Sequence, residues 1–176
     1  EYNRTDMWNP GGITVNPLNF VDAIDFLIRQ GIKVIRIGDK EMSPIFERYG
    51  FIDLTKIDKP FEVDIFLCGA AKFYLGSISD YYSLSYNFGV TCCEIMRNDY
   101  LGLRSNNFSQ YLTFKDDHSS KKYTFDDILA SGVEGIFGSL YLTNKSIVPY
   151  TPNNQDNMLF VKEALEYMDQ GPIFID

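Results

Sequence analysis

Two short segments carry the side chains best suited to contacting an anionic ligand, and the first of them is residues 36–40. Here Arg36, Gly38 and Lys40 follow an apolar, β-branched run that is typical of a buried strand. An arginine at the exit of such a strand can direct its guanidinium at a phosphate or a carboxylate. The alternative is a structural ion pair with a neighbouring acid: Asp39, Glu41 or Asp53.

The second segment, residues 76–80, lies between an apolar strand pattern and a helix pattern. It contains Gly76, Ser77, Ser79 and Asp80. Hydroxyl and backbone N–H groups at such a turn can bind a phosphate or a sugar. The simpler interpretation makes Ser79 only the N-cap of the next helix, and the pattern alone favours it. Neither a P-loop nor a G-x-G-x-x-G sequence is present, so a dinucleotide cofactor is not indicated.

Further polar candidates stand close to these segments. Arg4 belongs to an opening loop that could lie near the cleft, or it could form a surface ion pair. Tyr81 and Tyr82 could stack on a base or a sugar, although core packing is the commoner use of such tyrosines. Asp64 is placed to interact with a helix dipole. Glu94 interrupts an apolar strand. It could act as a base or as a hydroxyl acceptor in the cleft, but the favoured interpretation is a solvated residue at an edge.

Alternating helix and strand patterns predict how these residues are positioned. The predicted helices cover residues 17–31, 43–49, 61–70, 80–88 and 153–168, and the predicted strands cover residues 32–37, 51–54, 72–75 and 90–96. Asn16 and Pro17 mark the first helix start, Gly31 marks its end, and Asn153 caps the last helix. The sequence therefore predicts one α/β domain over residues 1–176, with a three-layer parallel sheet. Ligands of such sheets bind at the carboxyl ends of the strands.

Composition excludes several classes of function. The 176 residues include 16 Lys plus Arg and 24 Asp plus Glu, a formal net charge of −8, which argues against nucleic acid and anionic membranes as partners. Cys68, Cys92 and Cys93 lie in apolar runs, which predicts buried, reduced thiols in a cytosolic protein. A single histidine, His118, cannot build a His-rich zinc site. No apolar run approaches the ~18–20 residues that span a bilayer.

The order and spacing of four segments resemble a known family. Residues 16–31, 34–38, 64–79 and 153–168 are similar to the C-terminal half of bacterial glycosyltransferases of GT-B architecture that are linked to surface-polysaccharide synthesis. The resemblance covers most of the chain, and its motifs are individually short. It implies a Rossmann-like domain that binds a nucleotide-sugar donor, so we expect the chain to be one half of a longer two-domain enzyme.

The same resemblance implies an activity and a set of partners. The enzyme would transfer a sugar from a nucleotide-sugar donor to a glycan or lipid-linked acceptor, without a metal or other cofactor. Arg4, Arg36 and the turn at residues 76–79 would face the donor diphosphate and nucleotide. An N-terminal domain of the same protein would complete the cleft. The expected location is the cytoplasm, with a peripheral position at the inner face of the membrane as a variant.

Two other hypotheses stay open. Asp80 follows Ser79 where the family has glycine, and a carboxylate there would repel a diphosphate unless it turned toward a hydroxyl. This departure favours a noncatalytic α/β interaction or assembly module derived from such an enzyme. A small α/β hydrolase ranks last, because the chain lacks a G-x-S-x-G elbow.

Overall fold

The computed structural model describes residues 16–97, 107–111, 113–116, 118–119, 121–124, 126–127 and 147–170, and these ranges form a mixed α/β fold with parallel sheets. The helices are α1 (Val21–Arg29), α2 (Phe61–Ala70), α3 (Asp80–Asn87) and α4 (Asn154–Gln170). The strands are β1 (Val34–Arg36), β2 (Phe51–Asp53), β3 (Phe73–Gly76), β4 (Thr91–Arg97), β5 (Asn107–Tyr111), β6 (Thr113–Asp116) and β7 (Ile147–Tyr150). The predicted α/β class is confirmed.

The start and end of α1 follow from local signals. The Asn16 side chain accepts a hydrogen bond of 3.0 Å from the backbone N–H of Leu18, and Pro17 begins the 3₁₀ turn Pro17–Phe20 that leads into the helix. Gly31 lies just past the helix with φ +78°, a conformation that glycine adopts without strain. Both predicted boundaries of the first helix are therefore confirmed.

Strand pairing brings polar residues from distant parts of the chain together. Strands β1 and β2 pair in parallel, and their register sets Arg36 beside Asp53. Strands β3, β4 and β5 form a parallel sheet in that order, and the register sets Gly76 beside Glu94 and Glu94 beside Ser109. Strands β6 and β7 form an antiparallel pair that the sequence does not predict.

A core shared by helices and strands holds these elements in place. Helices α1 and α4 pack on each other, and both parallel sheets contribute buried residues to the same cluster as these helices. Phe73 and Leu75 of β3 pack against that cluster, whereas Tyr74 points to the opposite face and meets the ring of Tyr82 in α3 at 6.2 Å. Helices therefore cover both faces of the sheet that contains β3.

Two local predictions are wrong for identifiable reasons. Residues 43–49 are not helical: the Ser43 carbonyl, which would accept the first hydrogen bond of such a helix, accepts from the Arg36 side chain, and Arg48 forms a β-bridge with Phe51. The polar stretch after β4, where no strand is predicted, contains strand β5. Its residues are all half-buried, so no clear alternation of polar and apolar positions marks it in the sequence.

The thiols behave as the sequence predicts. Cys68, Cys92 and Cys93 are all buried and none forms a disulfide. Burial raises the pKa of the Cys93 thiol to about 12, so it stays protonated and unreactive at neutral pH. In the described part of the chain, no helix combines the length and the apolarity needed to cross a membrane.

Candidate functional site

An open pocket of about 240 Å³ lies where β1 and β2 end and where α2 and α3 begin. We call it the strand-end pocket. The carboxyl ends of parallel strands and the N-termini of helices are where α/β folds commonly bind ligands. The described residues that line it are Gly38, Asp39, Lys40, Thr55, Ile57, Asp58, Lys59, Phe61, Asp64 and Tyr81.

Gly38 forms part of the pocket wall. It is buried with φ +146°, and a Cβ atom there would come 2.5 Å from Sδ of Met42, at the end of a flexible side chain, and 3.6 Å from Cγ2 of Thr55. The backbone conformation is what requires glycine here. The Lys56 ammonium donates to the backbone carbonyls of Lys40 and Met42, which fixes the loop that follows Gly38.

Arg36 forms the structural ion pair that the sequence left as an alternative. Its Nη1 lies 2.9 Å from Oδ2 of Asp53 and also donates to the carbonyl of Ser43 at 2.7 Å. The other carboxylate oxygen of Asp53 accepts from the hydroxyl and the backbone N–H of Thr55. Burial alone would raise the pKa of Asp53, but the Thr55 hydrogen bonds and the Arg36 charge outweigh it and lower that pKa.

We predict that Arg36→Ala lowers the free energy of unfolding by about 2 kcal/mol at neutral pH, because Asp53 loses a charged hydrogen-bond partner. Asp53 has a lowered folded pKa, so its carboxylate stabilises the fold above the unfolded value of about 4 and loses that effect as the pH falls through the folded value. Urea unfolding of the wild-type protein and of Arg36→Ala, at neutral and at acidic pH, measures the difference in their free energies of unfolding. Lys33→Ala, at an exposed position, is the control; equal losses in the two variants would contradict the prediction.

Asp64 is a buried carboxylate at the inner end of the pocket. It is 3% exposed, whereas Glu62, the other acid in the first turn of α2, is exposed. Its Oδ2 lies 3.0 Å from Nζ of Lys59 and 3.3 Å from the hydroxyl of Tyr81, whereas its Oδ1 is buried with no hydrogen-bond partner. A buried carboxylate oxygen without a partner carries a desolvation cost that a hydrogen-bond donor would offset.

Tyr81 is the neutral donor of this cluster. Burial raises its pKa, and the nearby charges of Asp64 and Asp39 raise it further, to about 12. The phenol is therefore protonated at neutral pH and donates to Asp64. Tyr82, the second tyrosine considered for stacking on a ligand, is instead 2% exposed and belongs to the core, where its hydroxyl accepts a hydrogen bond from Asn107.

The turn at residues 76–79, which follows β3 and which we call the serine turn, is organised by hydrogen bonds within the chain. The Ser79 hydroxyl accepts from the backbone N–H of Tyr82 at 3.2 Å, so the N-cap interpretation is confirmed. The Tyr74 hydroxyl donates to the carbonyl of Ser77 at 3.1 Å and lies 3.0 Å from Oγ of Ser79. Burial raises the pKa of Tyr74 to about 12, which keeps this phenol protonated.

The predicted donor-binding residues divide into three groups. Gly38 and Lys40 line the strand-end pocket, and Arg36 lies at the end of the strand that leads into it. The second segment forms the neighbouring turn and the start of α3 and is absent from the pocket walls: Gly76, Ser77, Ser79 and Asp80. Arg4 lies outside the described residues.

Glu94 is neither solvated nor on an exposed edge, so the favoured interpretation of this residue is wrong. It is 0% exposed, and its Oε2 lies 2.8 Å from Nη1 of Arg97 and 3.2 Å from the hydroxyl of Ser109. Arg97 is also buried, at 3% exposed, and the chain bulges between the two residues, where Met96 adopts φ +53°. The Arg97 guanidinium compensates the buried carboxylate, which allows a charged residue at a fully buried position of β4.

No family model, curated protein or solved structure matches this chain. The chemistry of the strand-end pocket must therefore be inferred from its own side chains. It presents three carboxylates and two lysines, together with the Tyr81 phenol. Such a set accepts and donates hydrogen bonds over a short distance, which suits a ligand rich in hydroxyl groups. Among the described residues, no three potential metal-binding side chains lie close enough together to hold an ion.

The pairing of Asp64 with Lys59 and Tyr81 is the part of the site that sequence reasoning missed. Asp64 was interpreted only as an acid near a helix dipole. A signal was available, since it is a charged residue on a helix whose other inward positions are apolar. The lysine five residues earlier is the natural partner for such a buried acid, although Tyr81, from a separate helix, becomes its neighbour only through the tertiary fold.

Proposed function

We propose that this chain is the donor-binding domain of a glycosyltransferase that transfers a sugar from a nucleotide-sugar donor to a glycan or lipid-linked acceptor. The proposal includes a Rossmann-like domain that forms the donor half of a GT-B enzyme, with an N-terminal domain of the same protein and a cytoplasmic location. The observation that carries it is the strand-end pocket, where Asp64, Lys59 and Tyr81 meet at the carboxyl ends of parallel strands.

The pocket suits the sugar or ribose part of such a donor. Carboxylates accept hydrogen bonds from vicinal hydroxyls, and Asp64 has one oxygen with no protein partner. The phenol of Tyr81 and the ammonium of Lys59 could donate to other oxygens of the same ring. A volume of about 240 Å³ accommodates one monosaccharide more readily than a whole nucleotide sugar.

In the reaction, the bond between the anomeric carbon of the sugar and a phosphate oxygen of the nucleotide breaks, and that carbon forms a bond to an acceptor oxygen whose proton is released to the solvent. Negative charge develops on the departing nucleotide. Lys40 lines the pocket, and its exposed ammonium could move from Asp58 toward that charge, since the present ion pair spans 3.2 Å at the surface. Positioned cations and helix N-termini stabilise such a leaving group electrostatically.

A specific observation also favours the noncatalytic alternative, an α/β interaction or assembly module. Arg36 and the two lysines that line the pocket all have acidic partners: Arg36 pairs with Asp53, Lys40 with Asp58 and Lys59 with Asp64. A diphosphate would have to displace at least one of these acids. Binding measurements with nucleotide sugars distinguish the two functions.

We predict that at least one nucleotide sugar stabilises the protein in a thermal-shift series with UDP-glucose, UDP-N-acetylglucosamine, GDP-mannose, CMP-N-acetylneuraminate and dTDP-glucose. A ligand at ten times its Kd adds about 1.4 kcal/mol, or roughly 3–6 °C in Tm. Asp64→Asn should weaken that binding about tenfold, because an amide accepts hydroxyl hydrogen bonds less strongly than a carboxylate.

Glu62→Gln is the matched control, since Glu62 is an exposed acid in the same helical turn and does not line the pocket. Calorimetric titration well below the Tm compares the affinities of folded proteins, with circular dichroism as the check on folding. The proposal fails if no nucleotide sugar in the series binds. It also fails at this site if Asp64→Asn and Glu62→Gln bind with equal affinity.

A further inference from the structure

A second pocket, of about 390 Å³, lies between β5, the β6–β7 pair and α4. We call it the α4 pocket. None of its described lining residues also lines the strand-end pocket, so the two are separate features of the surface. Its volume falls within the range of small-molecule sites, which have mostly apolar walls and a few placed polar groups.

Aromatic side chains form much of the wall of the α4 pocket. Phe108 of β5 packs on Phe160 and Tyr167 of α4, with ring centroids 5.2 and 5.5 Å apart, which fixes the inner wall. Tyr111 and Tyr123 also line the pocket, and each is half-buried. Rings held in this way give a rigid apolar surface at low entropic cost, which is a common means of binding a flat face of a ligand.

Acidic groups stand at the polar side of the same pocket. Asp156 accepts from the hydroxyl of Tyr150 at 2.6 Å and from the backbone N–H of Asn153 at 3.1 Å. Burial alone would raise its pKa, but these two hydrogen bonds and the charge of Lys122 lower that pKa, so the group is a carboxylate at neutral pH. Glu163, about two turns further along α4, is a second carboxylate and is exposed.

The charges of the α4 pocket disfavour an anionic ligand. Among its described lining residues the cation is Lys122, whose ammonium lies 3.7 Å from the centre of the Tyr150 ring, where a cation–π contact holds it. One lysine against two carboxylates leaves a net charge of 1 − 2 = −1 among these groups. A phosphate or a nucleotide would therefore meet repulsion here, in a protein that is already acidic overall.

An unsatisfied acceptor also lines the pocket. Oε1 of Gln110 is buried and has no hydrogen-bond partner. Such an atom has lost its contact with water without a replacement, and a ligand hydroxyl that reached it after a small side-chain adjustment would offset that loss.

We propose that the α4 pocket binds a neutral sugar residue, with the aromatic wall against its C–H face and with Asp156, Glu163 and Gln110 accepting its hydroxyls. A pyranose ring has an apolar face and a rim of hydroxyl donors, which matches aromatic walls beside carboxylates. This inference does not depend on the proposed donor site, because the two pockets share no residue and a free sugar carries no nucleotide.

Protein-observed NMR of the whole chain with free sugars tests the proposal. The probes are glucose, galactose, mannose, N-acetylglucosamine, cellobiose and chitobiose, each titrated to high millimolar concentration. At least one should shift resonances of residues around the α4 pocket in a saturable manner. Glu163→Gln should weaken this binding about tenfold, because a hydroxyl loses a charged acceptor.

Glu166→Gln is the matched control, since Glu166 is an exposed acid on the same helix that does not line the pocket. The proposal is overturned if no sugar in the panel shifts these resonances, if the two variants bind alike, or if UMP or inorganic phosphate binds this pocket more tightly than the sugars do. Nucleotide-sugar binding at the strand-end pocket should be unchanged in Glu163→Gln, which separates failure here from failure of the proposed function.

Discussion

Replacing Arg97 with methionine should lower the free energy of unfolding by about 3–5 kcal/mol, which is the expected cost of leaving one member of a buried ion pair uncompensated. Glu94 is fully buried, and Arg97 reaches its Oε2 at 2.8 Å. After the substitution, only the Ser109 hydroxyl, at 3.2 Å, remains as a partner for that carboxylate among these contacts. Urea unfolding, followed by circular dichroism, measures the change in stability.

Two further variants separate the buried charge from a general effect of losing an arginine. Arg29→Met, at the exposed end of α1, should change stability by no more than about 0.5 kcal/mol. The double variant Glu94→Gln with Arg97→Met should recover at least part of the loss, because a neutral amide replaces the uncompensated carboxylate. A loss in Arg97→Met no larger than that in Arg29→Met would contradict this account of the pair.

The elements that could be predicted from the sequence are those with local signals at their ends. Asn16 with Pro17 and then Gly31 fix α1 within a few residues of chain. Asn153 caps the start of α4 through two reciprocal hydrogen bonds. Its side chain accepts from the backbone N–H of Asp156, and the Asp156 carboxylate accepts from the backbone N–H of Asn153. These interactions span three residues or fewer, so the sequence pattern contains them.

The partners of the polar residues could not be predicted in the same way. Arg36 had three candidate acids, and the choice of Asp53 depends on the register of β1 against β2, which places the two opposite each other across 17 positions of sequence. Glu94 likewise meets Ser109 through the pairing of β4 with β5, a strand with no clear pattern of its own. Sheet register is a long-range property, and single-sequence periodicity does not contain it.

The candidate site shows the same division. Its place at the strand ends was predicted, because that follows from the fold class, and Gly38 and Lys40 do line the strand-end pocket. The cluster of Asp64 with Lys59 and Tyr81 was not predicted, because it forms only where the first turns of two helices approach each other in the tertiary fold. Tertiary packing thus decided which of several plausible polar residues face the pocket.

Gly76→Ala should destabilise the protein by about 1–3 kcal/mol, the usual cost of overpacking a well-packed position. A Cβ atom on Gly76 would collide with the hydroxyl of Tyr74 and would lie 2.8 Å from Cζ of the same ring. The ring cannot move away freely, because its hydroxyl is held by the carbonyl of Ser77 and by Oγ of Ser79. The substitution therefore forces a choice between a steric clash and the hydrogen bonds that organise the serine turn.

Comparing Gly76→Ala in the wild-type protein and in Tyr74→Ala tests that explanation. In Tyr74→Ala, which removes the ring, the further change Gly76→Ala should cost less than about 0.5 kcal/mol, so the two substitutions should be strongly non-additive. Ser77→Ala, which alters the same turn without placing an atom against Tyr74, is the control for local disturbance. Equal losses for Gly76→Ala in the presence and absence of the Tyr74 ring would show that contact with that ring is not the cause. If the predicted coupling is found, position 76 requires glycine because the Tyr74 ring, which hydrogen-bonds to the serine turn, occupies the space of a Cβ atom. A role of Gly76 in binding a phosphate is then not needed to explain the glycine.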